Sequence, residues 1–219
     1  GEIMEMLEAY FGQQDAPSFD PGHSHAMNPI LTPKAGRNWV AHEGPQATIR
    51  MGHTSVKRSH PDYYKIDVVN TILGGYFGSR LMKNMREKKG YTYGIYSANW
   101  ARRFHGEFII QADAANEYVE AVIEEVKKEI RLLQEKGVDQ AEMNLVKNYL
   151  LGRSINRRET PFQLSDLQRF AITHDVSFEE IDRRYEVLQA MTADEVPLIA
   201  QQYFLIDQLV EVVAGQQPS

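Results

Sequence analysis

The chain has 219 residues, of which 42% are hydrophobic and 25% charged, so it is long enough for one large domain or two small ones with a buried core. Its formal net charge of -6 argues against a general nucleic-acid binder, which needs an excess of Lys and Arg. Cysteine is absent, which excludes disulfides, thiolate metal sites and a cysteine nucleophile, and no apolar run approaches the roughly 18 to 20 residues of a membrane span.

The first predicted element is a short amino-terminal helix. Its apolar residues recur at helical spacing, namely Ile3, Met6, Leu7 and Tyr10. Residues 13–36 are then rich in Pro and Gly and poor in apolar side chains, which is typical of a linker. We therefore place a domain boundary near Gly36, with a helix and linker in residues 1–35 and the main domain in residues 36–219. A chain that begins with Gly rather than Met and enters a helix at once is expected to be a fragment of a longer protein.

A strand and a helix are predicted before the central stretch of the chain. Residues 45–53 alternate between apolar and polar side chains, which indicates a half-buried strand. Residues 60–62 have the sequence His-Pro-Asp, which provides a helix cap and a proline at the first helical position. The apolar positions that follow predict a helix that runs to Leu73.

Residues 73–97 form the stretch around which the chain is organised. A glycine pair, Gly74-Gly75, breaks the preceding helix, and residues 79–88 predict a short cationic helix that ends at Gly90. A tyrosine-rich strand follows.

Beyond this point the pattern predicts a hairpin, several helices and a last strand. Residues 91–100 and 104–112 both alternate and can pair as an antiparallel hairpin. Residues 118–134 carry an apolar stripe at helical spacing. Residues 209–214 predict the closing strand.

Four further helices are indicated by capping boxes, in which a polar residue that caps the helix is followed three residues later by Glu or Gln. The pairs are Asp139 with Glu142, Thr160 with Gln163, Ser177 with Glu180, and Thr192 with Glu195. Pro197 falls inside the last of these helices and is expected to cost it one backbone hydrogen bond. Few strands, a hairpin and many late helices favour an α+β fold with helices on one face of a mostly antiparallel sheet.

The residues do not indicate a metal, phosphate or nucleophile site within this chain. His23 and His25 lie in the predicted linker, where a flexible surface pair is the better interpretation. Neither His-Glu-x-x-His nor His-x-x-Glu-His occurs, and there is no Gly-x-Ser-x-Gly motif. The glycine turn lacks the terminal Gly-Lys-Ser of a P-loop.

The remaining chemical signal is a group of cations and phenols in the central stretch. Its members are Arg80, Lys83, Arg86, Lys88 and Lys89 on the helix, and Tyr91, Tyr93 and Tyr96 on the strand. Each has an ordinary explanation alone, because basic residues favour the carboxyl end of a helix and tyrosines favour strands. Together, an Arg near the helix end and a Tyr at the strand start present donors that can converge on one carbonyl or carboxylate oxygen.

The same stretch carries a resemblance to a known family. The matching segments are PDYY at 61–64, LGG at 73–75, SRL at 79–81, REKKG at 86–90 and YGIYS at 93–97. They resemble the carboxyl-terminal, non-zinc domain of the insulinase- or pitrilysin-type (M16) metallopeptidases, and the likeness covers residues 37–215. Tyr76 and Phe77 are bulkier than the small residues expected after the glycine pair.

The resemblance implies a fold and a role for this chain. It implies the M16 or LuxS-like metallohydrolase fold, in which this half supplies an Arg and a Tyr that contact the substrate backbone, here Arg86 and Tyr93. Zinc and its ligands would belong to a separate amino-terminal domain, on the same longer chain or on another subunit. This chain would then hold neither zinc nor a catalytic residue, and by itself it is expected to be inactive.

Two functions are consistent with these residues. The first is the substrate-binding half of a two-domain zinc metallopeptidase that cleaves peptides. The alternative is a non-catalytic interaction or scaffold subunit that pairs with an active relative. The presence of both Arg86 and Tyr93 favours the first, because a scaffold has no need of them. We expect a soluble protein of the cytoplasm or periplasm, and the sequence does not separate these compartments.

Overall fold

A computed structural model of the chain describes residues 1–12, 34–156 and 159–217. It divides into two compact units, residues 1–31 and residues 32–219. In the first unit, helix α1 spans Glu2–Phe11 and has no buried residue. Most of the predicted linker, with His23 and His25, lies outside the described residues.

One sheet of five strands is seen within the described part of the second unit. The strands are β1 (Gly36–Ala41), β2 (Gln46–Ser55), β3 (Thr92–Ala101), β4 (Gly106–Ala115) and β5 (Val210–Gly215). Their order across the sheet is β1-β5-β2-β4-β3. The pairs β5–β2, β2–β4 and β4–β3 are antiparallel, whereas β1 pairs with β5 in parallel. The sequence patterns did not predict β1.

The helical segments of the second unit lie between β2 and β3 and between β4 and β5 in the chain. The α-helices are α2 (Tyr63–Asn70), α3 (Val119–Lys136), α4 (Gln140–Asn156), α5 (Pro161–His174), α6 (Phe178–Ala190) and α7 (Glu195–Tyr203). Two π-helical segments, which we name π1 (Thr71–Gly75) and π2 (Met82–Lys88), occupy the central stretch. The predicted short cationic helix is therefore present, but most of it has π-helical winding.

The core lies between one face of the sheet and the helices. Side chains of β2 alternate between buried and half-buried, so that Ala47, Ile49 and Met51 all face the core. The predicted stripe of α3 is buried as well, including Val122 and Val126. Removal of this apolar surface from water is the main stabilising term for such a layer. The α+β fold class is confirmed.

All four helices predicted from capping boxes are present, as α4 to α7, but two details of the last helix start differ from the prediction. Thr160 with Gln163 is formed by both bonds, and Asp139 and Ser177 accept from the amides of Glu142 and Glu180. The amide of Thr192 donates to Glu195, but the N-cap of α7 is Asp194. Helix α7 begins at Glu195, which places Pro197 in its first turn. The first amides of a helix have no intrahelical acceptor, so Pro197 costs no backbone hydrogen bond, contrary to the prediction.

Candidate functional site

The glycine pair allows a helix end to lie directly against strand β3. Segment π1 ends with Gly74 and Gly75. A Cβ atom added to Gly74 would lie 2.7 Å from the backbone nitrogen of Ser97, so a side chain there would separate the two elements. The predicted break is thus a site of close backbone approach.

Segment π2 is fixed to the body of the domain by part of the cationic group. Arg80, just before π2, donates to both carboxylate oxygens of Glu142 at 2.9 and 2.6 Å and to the carbonyl of Gly137 at 2.8 Å. At the other end, the Lys89 ammonium lies 2.5 Å from Glu125. These two cations are therefore structural, because their charges are already paired within the fold.

Arg86 lies in the last turn of π2 and is exposed. Its guanidinium carbon is 5.0 Å from the centroid of the Phe77 ring, a cation–π contact that steadies the side chain and leaves its N–H donors free. Within the described residues, Arg86 has no side-chain hydrogen bond or ion pair. Phe77, which the sequence indicated as unexpectedly bulky, is the residue that supports Arg86.

Tyr93 is held outward by an irregularity of strand β3. In the register with β4, Thr92 is opposite Ala114 and Gly94 is opposite Asp113, so Tyr93 is an extra residue in a β-bulge. The Thr92 hydroxyl accepts from Gly94 N at 3.1 Å and lies 2.5 Å from the carbonyl oxygen of Asp113. Tyr93 is 83% exposed. A bulge of this kind re-aims a side chain, and here it presents a phenol to solvent.

Backbone bonds connect the end of π2 to the start of β3. Lys89 N donates to the carbonyl of Asn84 at 3.1 Å, and Tyr91 N donates to the carbonyl of Met85 at 2.9 Å. Gly90 has a φ of +66°, a left-handed conformation that glycine adopts without strain. The connection between Arg86 and Tyr93 is therefore short and well bonded. Both π-helical segments and bulges are frequent at functional sites.

The other members of the cationic and phenolic group divide into partnered and free residues. Tyr91 stacks on Tyr118 with ring centroids 4.9 Å apart, and the Tyr96 hydroxyl donates to Gln111 at 2.5 Å. Lys83 and Lys88 are exposed. Among these three tyrosines, Tyr93 is the one whose side chain has neither a hydrogen bond nor a ring contact in the described part of the chain.

Two carboxylates of α3, those of Glu125 and Glu129, pair with polar side chains of the π2 region. Asn84 donates to Glu125 and to Glu129 at 2.8 Å each. The hydrogen bond from Lys89 lowers the pKa of the Glu125 carboxyl, whereas burial raises the pKa of Glu129. Both carboxylates lie on α3 and bond to residues of π2 or just after it, so their charges support the scaffold.

Metal-ligand groups and membrane-spanning helices are both absent from the described residues. Among the described residues, no group of three or more His, Asp or Glu side chains is arranged to hold a metal ion. In the same part of the chain, no helix is both long and apolar enough to cross a membrane.

A comparison with protein-family models decides the family. The model described as "Peptidase M16 inactive domain" matches residues 1–150 of this chain. The chain belongs to this family. The resemblance found in the sequence is thereby confirmed for the non-zinc domain of M16 proteins.

Known relatives of this M16 domain are named mostly as zinc proteases. The "Uncharacterized zinc protease YmxG" of Bacillus subtilis is 23% identical over 182 residues, which is 81% of this chain and 44% of that protein. The "Non-peptidase homolog YmxG" of Helicobacter pylori is 33% identical over 107 residues, which is 48% of this chain and 24% of that protein. The chain thus spans less than half the length of these relatives.

A solved structure agrees with the fold of this M16 domain. The peptidase M16 inactive domain from Pseudomonas fluorescens matches with a TM-score of 0.79 and 25% identity, over 86% of this chain and 45% of that chain. Within the fold, sequence patterns missed Thr92, whose buried hydroxyl fixes the bulge. A single threonine in a strand gives no signal of that role, because threonine is a common strand residue.

Proposed function

We propose that this M16 domain is the substrate-binding half of a two-domain zinc metallopeptidase that acts on peptides. Arg86 and Tyr93 would donate hydrogen bonds to substrate carbonyl oxygens, including an oxygen that gains negative charge during cleavage. The partner would be a zinc-binding M16 amino-terminal domain, on the same longer chain or on a separate subunit.

The observation that carries this proposal is that the Arg86 and Tyr93 side chains are exposed and their hydrogen-bond donors are unpaired within the described residues. Arg86 and Tyr93 come from adjacent irregular elements, are exposed, and keep their donors free, whereas Arg80, Lys89 and Tyr96 are engaged within the fold. Donors that are fixed in place and unpaired need little reorganisation when charge develops nearby.

In this proposal, one half of the enzyme binds zinc and the other half, this domain, contacts the substrate. Its described residues hold no metal-ligand set, so zinc would be bound by the other half, where it would supply an activated water. Arg86 and Tyr93 would meet the substrate only when the two halves close on it. Closure would then couple substrate capture to exclusion of bulk water.

The test uses the assembled enzyme, with both halves present. Replacing Arg86 with Ala, or Tyr93 with Phe, should lower turnover by about 10- to 1000-fold, the scale of losing one donor to a developing oxyanion. Peptide cleavage rates and thermal unfolding are measured for each variant, and the unfolding temperature should stay close to that of the parent because both side chains are exposed.

Matched controls are available on π2 and just before β3. Lys83→Ala removes an exposed cation from π2, and Tyr91→Phe removes a phenol oxygen while keeping the stack on Tyr118. Both controls should cleave peptides at the parent rate. Unchanged turnover in Arg86→Ala and Tyr93→Phe would refute the assigned roles.

The alternative function, a non-catalytic interaction or scaffold subunit, is favoured by one comparison. The Helicobacter pylori relative with 33% identity is named a non-peptidase homolog. The same experiment separates the two functions, because a scaffold would assemble with its partner yet tolerate Arg86→Ala and Tyr93→Phe without loss of cleavage by that partner.

A further inference from the structure

The turn between β3 and β4 presents basic and aromatic side chains to solvent. Arg102, Arg103 and Phe104 lie in this turn and are exposed, and Trp100, near the end of β3, is 43% exposed. The turn is closed by a backbone bond from Arg102 N to the carbonyl of His105 at 2.7 Å. The proposed function makes no use of these side chains.

A second connection brings another exposed cation to the same end of the sheet. Arg58 N donates to the carbonyl of Arg102 at 2.9 Å, so the segment that follows β2 is bonded to the hairpin turn. Lys57, the preceding residue, is exposed and therefore lies beside the turn. We name this group of exposed side chains the hairpin patch: Lys57, Trp100, Arg102, Arg103 and Phe104.

The hairpin patch is positively charged, although the whole chain has a formal net charge of -6. Lys57 and Arg102 have no ion pair or side-chain hydrogen bond within the described residues. Arg103 is 2.9 Å from Asp175, but the two side chains are 51% and 70% exposed, so water and salt screen this pair. The carboxylate of Glu107, just after the turn, is half-buried. Three cations thus adjoin two carboxylates, and the excess charge is positive.

The two aromatic rings of the patch lie outside the core. Asn99 is buried, so the alternation of a strand directs the next side chain, that of Trp100, to the opposite face of the sheet. The Phe104 ring is 56% exposed, and the guanidinium carbon of Arg103 is 5.3 Å from its centroid. Aromatic rings beside Arg and Lys side chains are typical of protein surfaces that lie at the boundary between water and lipid.

We propose that the hairpin patch docks this chain on the surface of an anionic membrane. Lys57 and Arg102 would bind lipid phosphates, while the rings of Trp100 and Phe104 would enter the headgroup region. An acidic protein offers the same charge, but the exposed rings favour lipid, because a boundary between water and hydrocarbon accepts a ring on a turn without a matching pocket. This inference does not depend on the proposed function, because docking needs neither zinc nor a second half.

The test is co-sedimentation of the full chain with vesicles. Vesicles of phosphatidylcholine with about one third phosphatidylglycerol are compared with vesicles of phosphatidylcholine alone. At low salt the chain should bind the anionic vesicles at least about tenfold more tightly, and the difference should shrink as added salt screens the cations. Equal binding to the two kinds of vesicle, or binding to neither, would overturn the proposal.

Charge variants locate the binding on the chain. Lys57→Gln and Arg102→Gln should each weaken binding to the anionic vesicles about fivefold, the effect of one basic side chain near such a surface. Arg131→Gln is the matched control, because Arg131 is an exposed cation on α3 and is not part of the patch. It should bind like the parent. Equal losses in Arg102→Gln and Arg131→Gln would show that binding follows net charge alone, which contradicts the proposal.

Tryptophan fluorescence tests whether the rings reach the lipid. The chain has two tryptophans, Trp100 and the partly buried Trp39, which packs against the core. Binding to anionic vesicles should shift the emission to shorter wavelength, and brominated lipid should quench it. Trp100→Phe should remove both effects, and its thermal unfolding should match that of the parent because the position is exposed. No shift in the parent, or a full shift in Trp100→Phe, would refute the lipid contact.

Polyglutamate serves as the probe for an acidic protein. It should bind more weakly than anionic vesicles and should leave the emission of Trp100 unchanged. Binding to polyglutamate that is lost in Arg102→Gln, together with no binding to vesicles, would overturn the proposal and assign the patch to an acidic protein. None of these results would affect the roles assigned to Arg86 and Tyr93.

Discussion

His53 is buried on the core face of β2, and both of its ring nitrogens have partners. Nδ1 lies 2.7 Å from the carbonyl of Thr54 and donates to it, while Nε2 accepts from the amide of Leu205 at 3.3 Å. The ring also packs on Phe108 with centroids 5.2 Å apart. This arrangement requires a neutral imidazole, because a proton on Nε2 would meet the Leu205 N–H donor.

A pH dependence of stability follows from this residue. Burial lowers the pKa of His53 below its ordinary value, so the unfolded chain binds the proton more readily than the folded one. The contribution of His53 to stability is then complete above about pH 6.5 and is lost as the pH falls from there towards the folded-state pKa. From this group alone, the free energy of unfolding should fall by at most about 1.4 kcal/mol per pH unit.

The measurement is urea unfolding at a series of pH values. His53→Gln should be less stable at neutral pH but should lose part of the dependence on pH below about 6.5. His105→Gln, at a half-buried position outside the core, is the control and should keep the slope of the parent. A parent-like slope in His53→Gln would show that the acid sensitivity arises elsewhere.

At the scale of elements, the start of β3 depends on one buried hydroxyl. Thr92 is 6% exposed, and its Oγ1 contacts Gly94 N, the Gly94 carbonyl and the Asp113 carbonyl at 3.1, 2.8 and 2.5 Å. These contacts stabilise the bulge that turns Tyr93 outward. The conformation of a site residue is thus set by its neighbour in the chain.

Removing that hydroxyl should loosen the bulge. Thr92→Val preserves shape but leaves buried backbone groups unpaired, and we expect it to lower the free energy of unfolding by about 1 to 3 kcal/mol. Hydrogen exchange at the Gly94 amide should become faster. Thr92→Ser, which keeps the hydroxyl, should show protection close to the parent, and equal behaviour of Val and Ser at this position would contradict the role of the hydroxyl.

At the scale of the whole molecule, the proposed function divides the peptidase site between this domain and a second one. The candidate donors Arg86 and Tyr93 are present, but a metal-ligand set is not found among the described residues. From the proposed function, we expect the isolated chain to bind zinc only substoichiometrically and to cleave no peptide, as judged by elemental analysis after dialysis and by a fluorogenic peptide assay. Stoichiometric zinc together with cleavage by the chain alone would refute the division of the site between two halves.

Sequence patterns predicted the hairpin, the stripe of α3 and the location of the candidate donors because these features depend on neighbouring residues. The apolar positions of α3 recur with helical spacing, and β3 and β4 are joined by a short turn, in which Arg102 N donates to the His105 carbonyl at 2.7 Å. Local periodicity is sufficient to indicate such elements.

The features that the patterns missed depend on distant partners. β1 is a short strand with a weak alternation, and it forms by pairing with β5 at the other end of the chain. Arg37 reaches Glu211, 174 residues away, at 2.6 Å. The error at Pro197 has a different cause. Because α7 begins at Glu195, Pro197 lies in the first turn, where a missing N–H costs no backbone hydrogen bond, and not in the helix interior.

For this protein the sequence by itself determined the α+β class, the family resemblance and the two residues proposed to meet a substrate, since these follow from local periodicity and from contiguous motifs. Only the tertiary structure decided which cations are paired in ion pairs, that Tyr93 lies in a bulge, and that Asn70 and Asn99 each bury an amide atom that has no partner among the described residues. The physical reason is that pairing and burial depend on groups brought together from separate segments, and the free energy of each contact exists only once the chain has folded.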